Sequence, residues 1–138
     1  MKILFDTNIV LDVLMNRPSF YKASLKAIRF SVLSKSCHVN VKQLADIYYI
    51  LRQNKFNKAN ALVEISKFAD NAVLVNVSCE DFYAALHSNM MDFEDALLAH
   101  CAKRHYIDCI VTRNTKDFAQ SPVKALSPDD FLELYETQ

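Results

Sequence analysis

Apolar positions in this chain follow two different periods. Short, β-branched-rich runs separate longer stretches in which apolar residues recur every three or four positions. Those are the patterns of buried strands and amphipathic helices in alternation. The strand-like runs are Lys2–Phe5 (KILF), Cys37–Val41 (CHVNV), Ala72–Val77 (AVLVNV) and Asp108–Thr112 (DCIVT), with Pro122–Leu126 as a fifth. Between the first two, Ile9, Val10, Val13 and Leu14 mark a short helix that ends before Asn16-Arg17-Pro18. A longer helix, Tyr21–Ser34, follows, with Ala23, Ala27, Ile28 and Phe30 or Ser31 on its inner side. Lys42–Arg52 carries Leu44, Ile47, Tyr48 and Leu51 at helical spacing and stops at Asn54. Lys58–Ala69 repeats the pattern through Leu62, Ile65 and Phe68-Ala69.

Helix starts are written into the second half. Ser78 with Asp81 three residues on has the form of a capping box, ahead of Phe82, Ala85 and Leu86. Asp92 is an N-cap before Phe93, Ala96, Leu97 and Cys101. Ser127-Pro128-Asp129-Asp130 opens a terminal helix, Pro128–Tyr135, with proline in the first turn and acids where the helix dipole favours them. Strands alternating with helices predict an α/β protein, a three-layer α/β/α sandwich with a mainly parallel central sheet. Neither a linker nor a repeat interrupts it, so residues 1–138 read as one domain.

Composition narrows the class. At 51% apolar and 23% charged, the chain is an ordinary globular sequence. No apolar run approaches the ~20 residues of a membrane span. The N-terminus enters its first strand without a cleavage site, so a cytoplasmic location is expected. Cys37, Cys79, Cys101 and Cys109 are scattered without a C-x-x-C pair and read as buried free thiols. Sixteen basic and sixteen acidic side chains cancel, so contact with nucleic acid would need a local basic patch. Glycine is absent. Positive-φ positions must therefore fall elsewhere, with Asn54, Asn57, Asn71, Asn89 and Asn114 as candidates.

The chemistry lies in the acids. Asp6 ends the first strand, and ligands of open α/β sheets bind outside the carboxyl ends of strands. Asp46 lies amid the apolar positions of its helix, Asp92 and Asp95 open another, and Asp117 follows DCIVT by a short loop. Each has a plainer reading: Asp92 as a cap, Asp95 as a dipole partner, Asp117 as a turn residue, Asp46 as a surface acid. Taken together, carboxylates from separate elements make a site for a hard cation, Mg²⁺ or Mn²⁺, able to activate water and offset charge on a phosphodiester.

The motifs Asp6-Thr7-Asn8, Asp92–Ala99 (D-x-E-D-A-L-L-A), Ile110–Phe118 (I-V-T-R-N-x-x-D-F) and Pro122–Leu132 resemble those of the PIN-domain family, and the size is similar to that of its VapC-type toxin ribonucleases. The resemblance implies a metal-dependent endoribonuclease acting on RNA, an antitoxin partner and a homodimer. It implies Asp6, Asp95 and Asp117 as metal-site acids and Asp92 as a further ligand or water-holder. Thr112 and Asn114 would steer the carboxylates, and Asn8 would fix the strand–helix turn. Two departures stand out. Asp46 occupies the place where the family carries a glutamate, one methylene longer, so its catalytic role rests on reach through water. The loop reads T-R-N where T-R-D is usual, leaving Asn114 and Asp117 as alternatives. Arg113 and Lys116 flank the acids as candidate phosphate contacts. A PIN fold that binds RNA or protein without cleaving, and a metal-dependent DNA nuclease or phosphatase, are the competing readings.

Overall fold

The computed structural model describes residues 1–136. Five strands, β1 (Ile3–Phe5), β2 (Cys37–Asn40), β3 (Val73–Val75), β4 (Cys109–Val111) and β5 (Ala125–Leu126), form one all-parallel sheet in the order β3-β2-β1-β4-β5. Seven helices connect and cover them: α1 (Thr7–Leu14), α2 (Tyr21–Leu33), α3 (Val41–Gln53), α4 (Lys58–Asp70), α5 (Cys79–Leu86), α6 (Phe93–Arg104) and α7 (Pro128–Glu136).

The strand sequences explain the layering. Successive side chains of a strand point to opposite faces. Ile3, Phe5, Cys109 and Val111 enter a core built with α1, α2, α3 and α7. Leu4 and Ile110 enter a second core with α5, α6, Phe118 and Val123. Both faces of the central strands are thus covered, which is why β1 and β4 read as unbroken apolar runs. On the first side Phe131 packs edge-on to Phe5 and Phe30, fixing α7 against β1 and α2.

The expected elements are all present, with four adjustments. The third strand is only Val73–Val75 and lies at the sheet edge, where Val73 and Leu74 stay exposed. In α4 the buried residue is Ala61, with Ile65 and Phe68 packed against the core, while Leu62 faces solvent. Cys37, Cys101 and Cys109 are buried, but Cys79 is exposed at the start of α5. A short 3-10 turn, Thr115–Phe118, follows β4 and had no counterpart in the periodicity.

The positive-φ positions were also misplaced. None of the five candidate asparagines adopts one. Asn16, Lys35, Lys55 and Tyr106 do, at φ 51°, 56°, 73° and 59°. All four sit just past a helix. In each case the next residue's N–H donates back five residues: Arg17 to Asp12, Ser36 to Ser31, Phe56 to Leu51, Ile107 to Ala102, at 2.8–3.2 Å. This is the bond of a Schellman ending, whose geometry demands a left-handed residue. Without glycine, three of the four positions fall to Lys or Tyr, and Cβ crowding is tolerated because the bond satisfies a helix-end carbonyl. Tyr106→Gly and Lys55→Gly are each expected to stabilise the protein by about 1 kcal/mol in urea unfolding. Alanine at the same positions, which keeps the Cβ, is expected to give no gain.

Candidate active site

β1 and β4 are adjacent, yet the chain leaves β1 for β2 on the other side. A crevice opens at such a reversal, outside the carboxyl ends of the strands. Asp6 is the first residue past β1 and caps α1. Its Oδ1 accepts the Thr7 N–H at 2.7 Å, and its Oδ2 accepts the Thr112 hydroxyl at 2.7 Å. Thr112, fully buried past β4, also accepts the Asn114 N–H on the same oxygen at 3.0 Å. One hydroxyl therefore fixes both the Asp6 carboxylate and the start of the loop that carries Asp117. Burial raises the Asp6 carboxyl above the ordinary carboxylate range, opposed by the hydrogen bonds from Thr112 and Thr7 and reinforced by the charge of Asp92.

α6 brings the next acids. Asp92 caps it, accepting the Asp95 N–H at 2.9 Å. The Asp95 carboxyl is pushed up to about 7, first by burial and then by the negative charges of Asp6, Asp92, Asp117 and Glu94. Three segments distant in sequence thus share one region of negative potential. Asp117 lies exposed in the 3-10 turn, its N–H donating to the Asn114 carbonyl. Asp6, Asp46, Glu94 and Asp95 line a cavity of about 340 Å³ together with Lys42, Gln43 and Tyr49. Asp46 is half-exposed at its wall, 2.6 Å from Lys42 Nζ.

Gln43 was not foreseen as a positioning group. It is buried, accepts the Asn40 N–H, and donates to the Phe5 carbonyl at 2.7 Å, so α3 holds the end of β1 directly. Its signal is present as Asn40-x-x-Gln43, a capping-box spacing that runs from the end of the expected strand into the expected helix. Asn8 does not hold the turn through its carbonyl oxygen. That oxygen is buried without a partner, and the turn is secured by Asp6 with Thr7 and by Gln43.

Arg113 is engaged otherwise than as a phosphate contact. Its guanidinium donates twice to fully buried Asp12, at 2.9 and 3.1 Å, and lies 3.9 Å over the Phe20 ring. Ser24 donates to the same carboxylate at 2.9 Å. This network ties α1, α2 and the loop after β4 together. Lys116 is exposed beside Asp117.

Among the described residues, no three Asp, Glu, His or Cys side chains are already drawn together to hold a metal ion. The donor chemistry fits one nonetheless. The acids are carboxylate oxygens, the ligands a hard divalent cation takes, and their crowded charge, which adds to burial in raising Asp95, is what such a cation would relieve.

A family model described as PIN domain matches residues 2–116. Ribonuclease VapC1 of Aquifex aeolicus (strain VF5) is 25% identical over 142 residues, covering 99% of this chain and 96% of that protein. Among solved structures, VapBC2 from Rickettsia felis, bound to a DNA fragment from its promoter, superposes with a TM-score of 0.73 at 16% identity, covering 92% of this chain and 98% of that one. A toxin–antitoxin complex from Klebsiella pneumoniae superposes with a TM-score of 0.70 at 21% identity and the same coverage.

Two outcomes follow from the geometry. Arg113→Ala leaves Asp12 buried and short of its main partner, and is expected to cost on the order of 3 kcal/mol in denaturant unfolding. Lysine at the same place cannot make the double contact and should not restore it. For Asp95, a carboxyl raised to about 7 when folded makes the metal-free protein lose stability as pH climbs from the ordinary carboxylate range toward 7, then level off. Asp95→Asn is expected to melt several degrees higher than wild type at pH 8, with the gap closing by about pH 4, in thermal scans with chelator.

Proposed function

Because the chain belongs to the PIN-domain family, we propose that it is an endoribonuclease that hydrolyses RNA phosphodiester bonds with Mg²⁺ or Mn²⁺. Its biological setting would be the toxin of a type II toxin–antitoxin pair in the cytoplasm. The observation that carries this reading is that Asp6 and Asp95 line one cavity while the charges of Asp6, Asp92 and Asp117 all act on Asp95. The relative named as a VapC ribonuclease and the structures of toxin–antitoxin complexes support the same reading, and with it an antitoxin partner. A homodimer rests on the family resemblance.

Asp6, Asp92, Asp95 and Asp117 would hold the cation. When bound, it supplies positive charge that eases deprotonation of an attacking water and offsets charge gathering on the phosphate. The protein's own part is mostly orientation. Thr112 holds the Asp6 carboxylate against rotation, and Asn114 sets the turn that presents Asp117. Asp95, raised by burial and by its acidic neighbours in the metal-free protein, is the carboxylate that gains most from a bound cation. Gln43 keeps the end of β1 fixed to α3.

A non-cleaving RNA- or protein-binding module is the second reading. It is favoured by the absence, among the described residues, of a preassembled group of three metal-binding side chains, and by the pairing of Asp46 with Lys42. Incubating the protein with RNA, DNA and a simple phosphoester in Mn²⁺ separates the readings. Cleavage of RNA alone is expected, falling by at least about 100-fold in Asp6→Asn and Asp95→Asn while their circular dichroism stays native. Equal turnover by wild type and both variants would overturn the assignment.

A further inference from the structure

The cavity at the site presents a problem for the substrate that the proposed function names. Four of its walls are acids, Asp6, Asp46, Glu94 and Asp95, and an RNA backbone is an anion. Arg113, the obvious cation nearby, is held by Asp12 and Phe20. Among the described residues lining the cavity, Lys42 alone is a cation. Its position is not explained by the helix that bears it. Lys42 is the second residue of α3, where a positive charge opposes the helix dipole. Its partner Asp46 is four residues on, and the two side chains are 41% and 44% exposed. A pair so open to water holds weakly, so a phosphate entering the cavity can take the ammonium from the carboxylate.

We infer that Lys42 is the substrate-binding residue that grips an RNA phosphate at the cleavage site, and that Asp46 is its tether and not a cation ligand. In the free protein the i,i+4 pair parks the ammonium at the cavity wall, pointing it where the backbone must pass. On binding, Nζ trades the Asp46 carboxylate for a phosphate oxygen, a point-charge contact of the kind lysine makes. Asp46, one methylene shorter than glutamate, then reads as matched to reach its own helix neighbour.

The inference rests on the ribonuclease reading, and binding measured apart from cleavage separates the two. In an Asp95→Asn background, filter binding of a single-stranded RNA is followed across salt concentrations. Lys42→Gln is expected to weaken binding about tenfold at low salt and to flatten the logarithmic salt slope by about 0.7, the loss of one phosphate contact. Lys42→Arg should restore most of both. In the otherwise wild-type chain, Lys42→Gln should raise KM with little change in kcat, whereas Asp46→Asn, by freeing the ammonium, should lower KM and keep the Mn²⁺-induced rise in Tm. An unchanged salt slope in Lys42→Gln, or loss of the Mn²⁺ response in Asp46→Asn, would overturn the assignment of these two residues. RNA bound with the expected slope but never cleaved by wild type would remove the nuclease reading and leave Lys42 in place.

Discussion

The pairing of β1 with β4 is the constraint from which the rest follows. Asp6 and Thr112 are separated by 106 positions in sequence and by 2.7 Å in space. Only parallel neighbours in register, Ile3 on Cys109 through Phe5 on Val111, can bring them level. The apolar residues of the two strands are what enforce that register, since a slip of one residue would turn Leu4 and Ile110 into the wrong core. Burial of Ile3, Leu4 and Phe5 therefore does more than stabilise the sheet. It sets the height at which a carboxylate and a hydroxyl meet.

A second long-range tie works at the rim. Asp12 is a charge in the core, and such a charge is costly unless it is paired and hydrogen-bonded. Arg113, Ser24 and the more distant Arg17 supply the partners. The guanidinium that neutralises Asp12 also anchors the loop leading from Thr112 to Asp117. Stability and site geometry thus share one ion pair, and the loop's acid, Asp117, is presented by a residue whose own charge is spent inward.

Much of this was legible before any coordinates. The alternation of periods identified all five strands and seven helices, because β-branched runs and i, i+4 stripes are local signals. Asp6, Asp92, Asp95 and Asp117 stand out in sequence as acids at element boundaries with apolar neighbours, and in the structure the charges of the other three act on Asp95. What escaped was set by distance. Nothing near Arg113 in sequence shows that Asp12 and Phe20 wait for it, so its inward contacts have no sequence signal. Gln43 escaped because its partner is the Phe5 carbonyl, a backbone group with no sequence identity. The left-handed residues escaped because helix-end geometry, not side-chain preference, chose Lys35, Lys55 and Tyr106.

The missing glycine has a consequence on the other side of the folding equilibrium. Every residue here carries a Cβ and the backbone restrictions that come with it, so the denatured ensemble is narrower than that of a typical chain of this length. Folding gives up less backbone entropy per residue. The four left-handed helix endings raise the energy of the native state, while the absence of the most permissive residue lowers the entropy of the chain that competes with it.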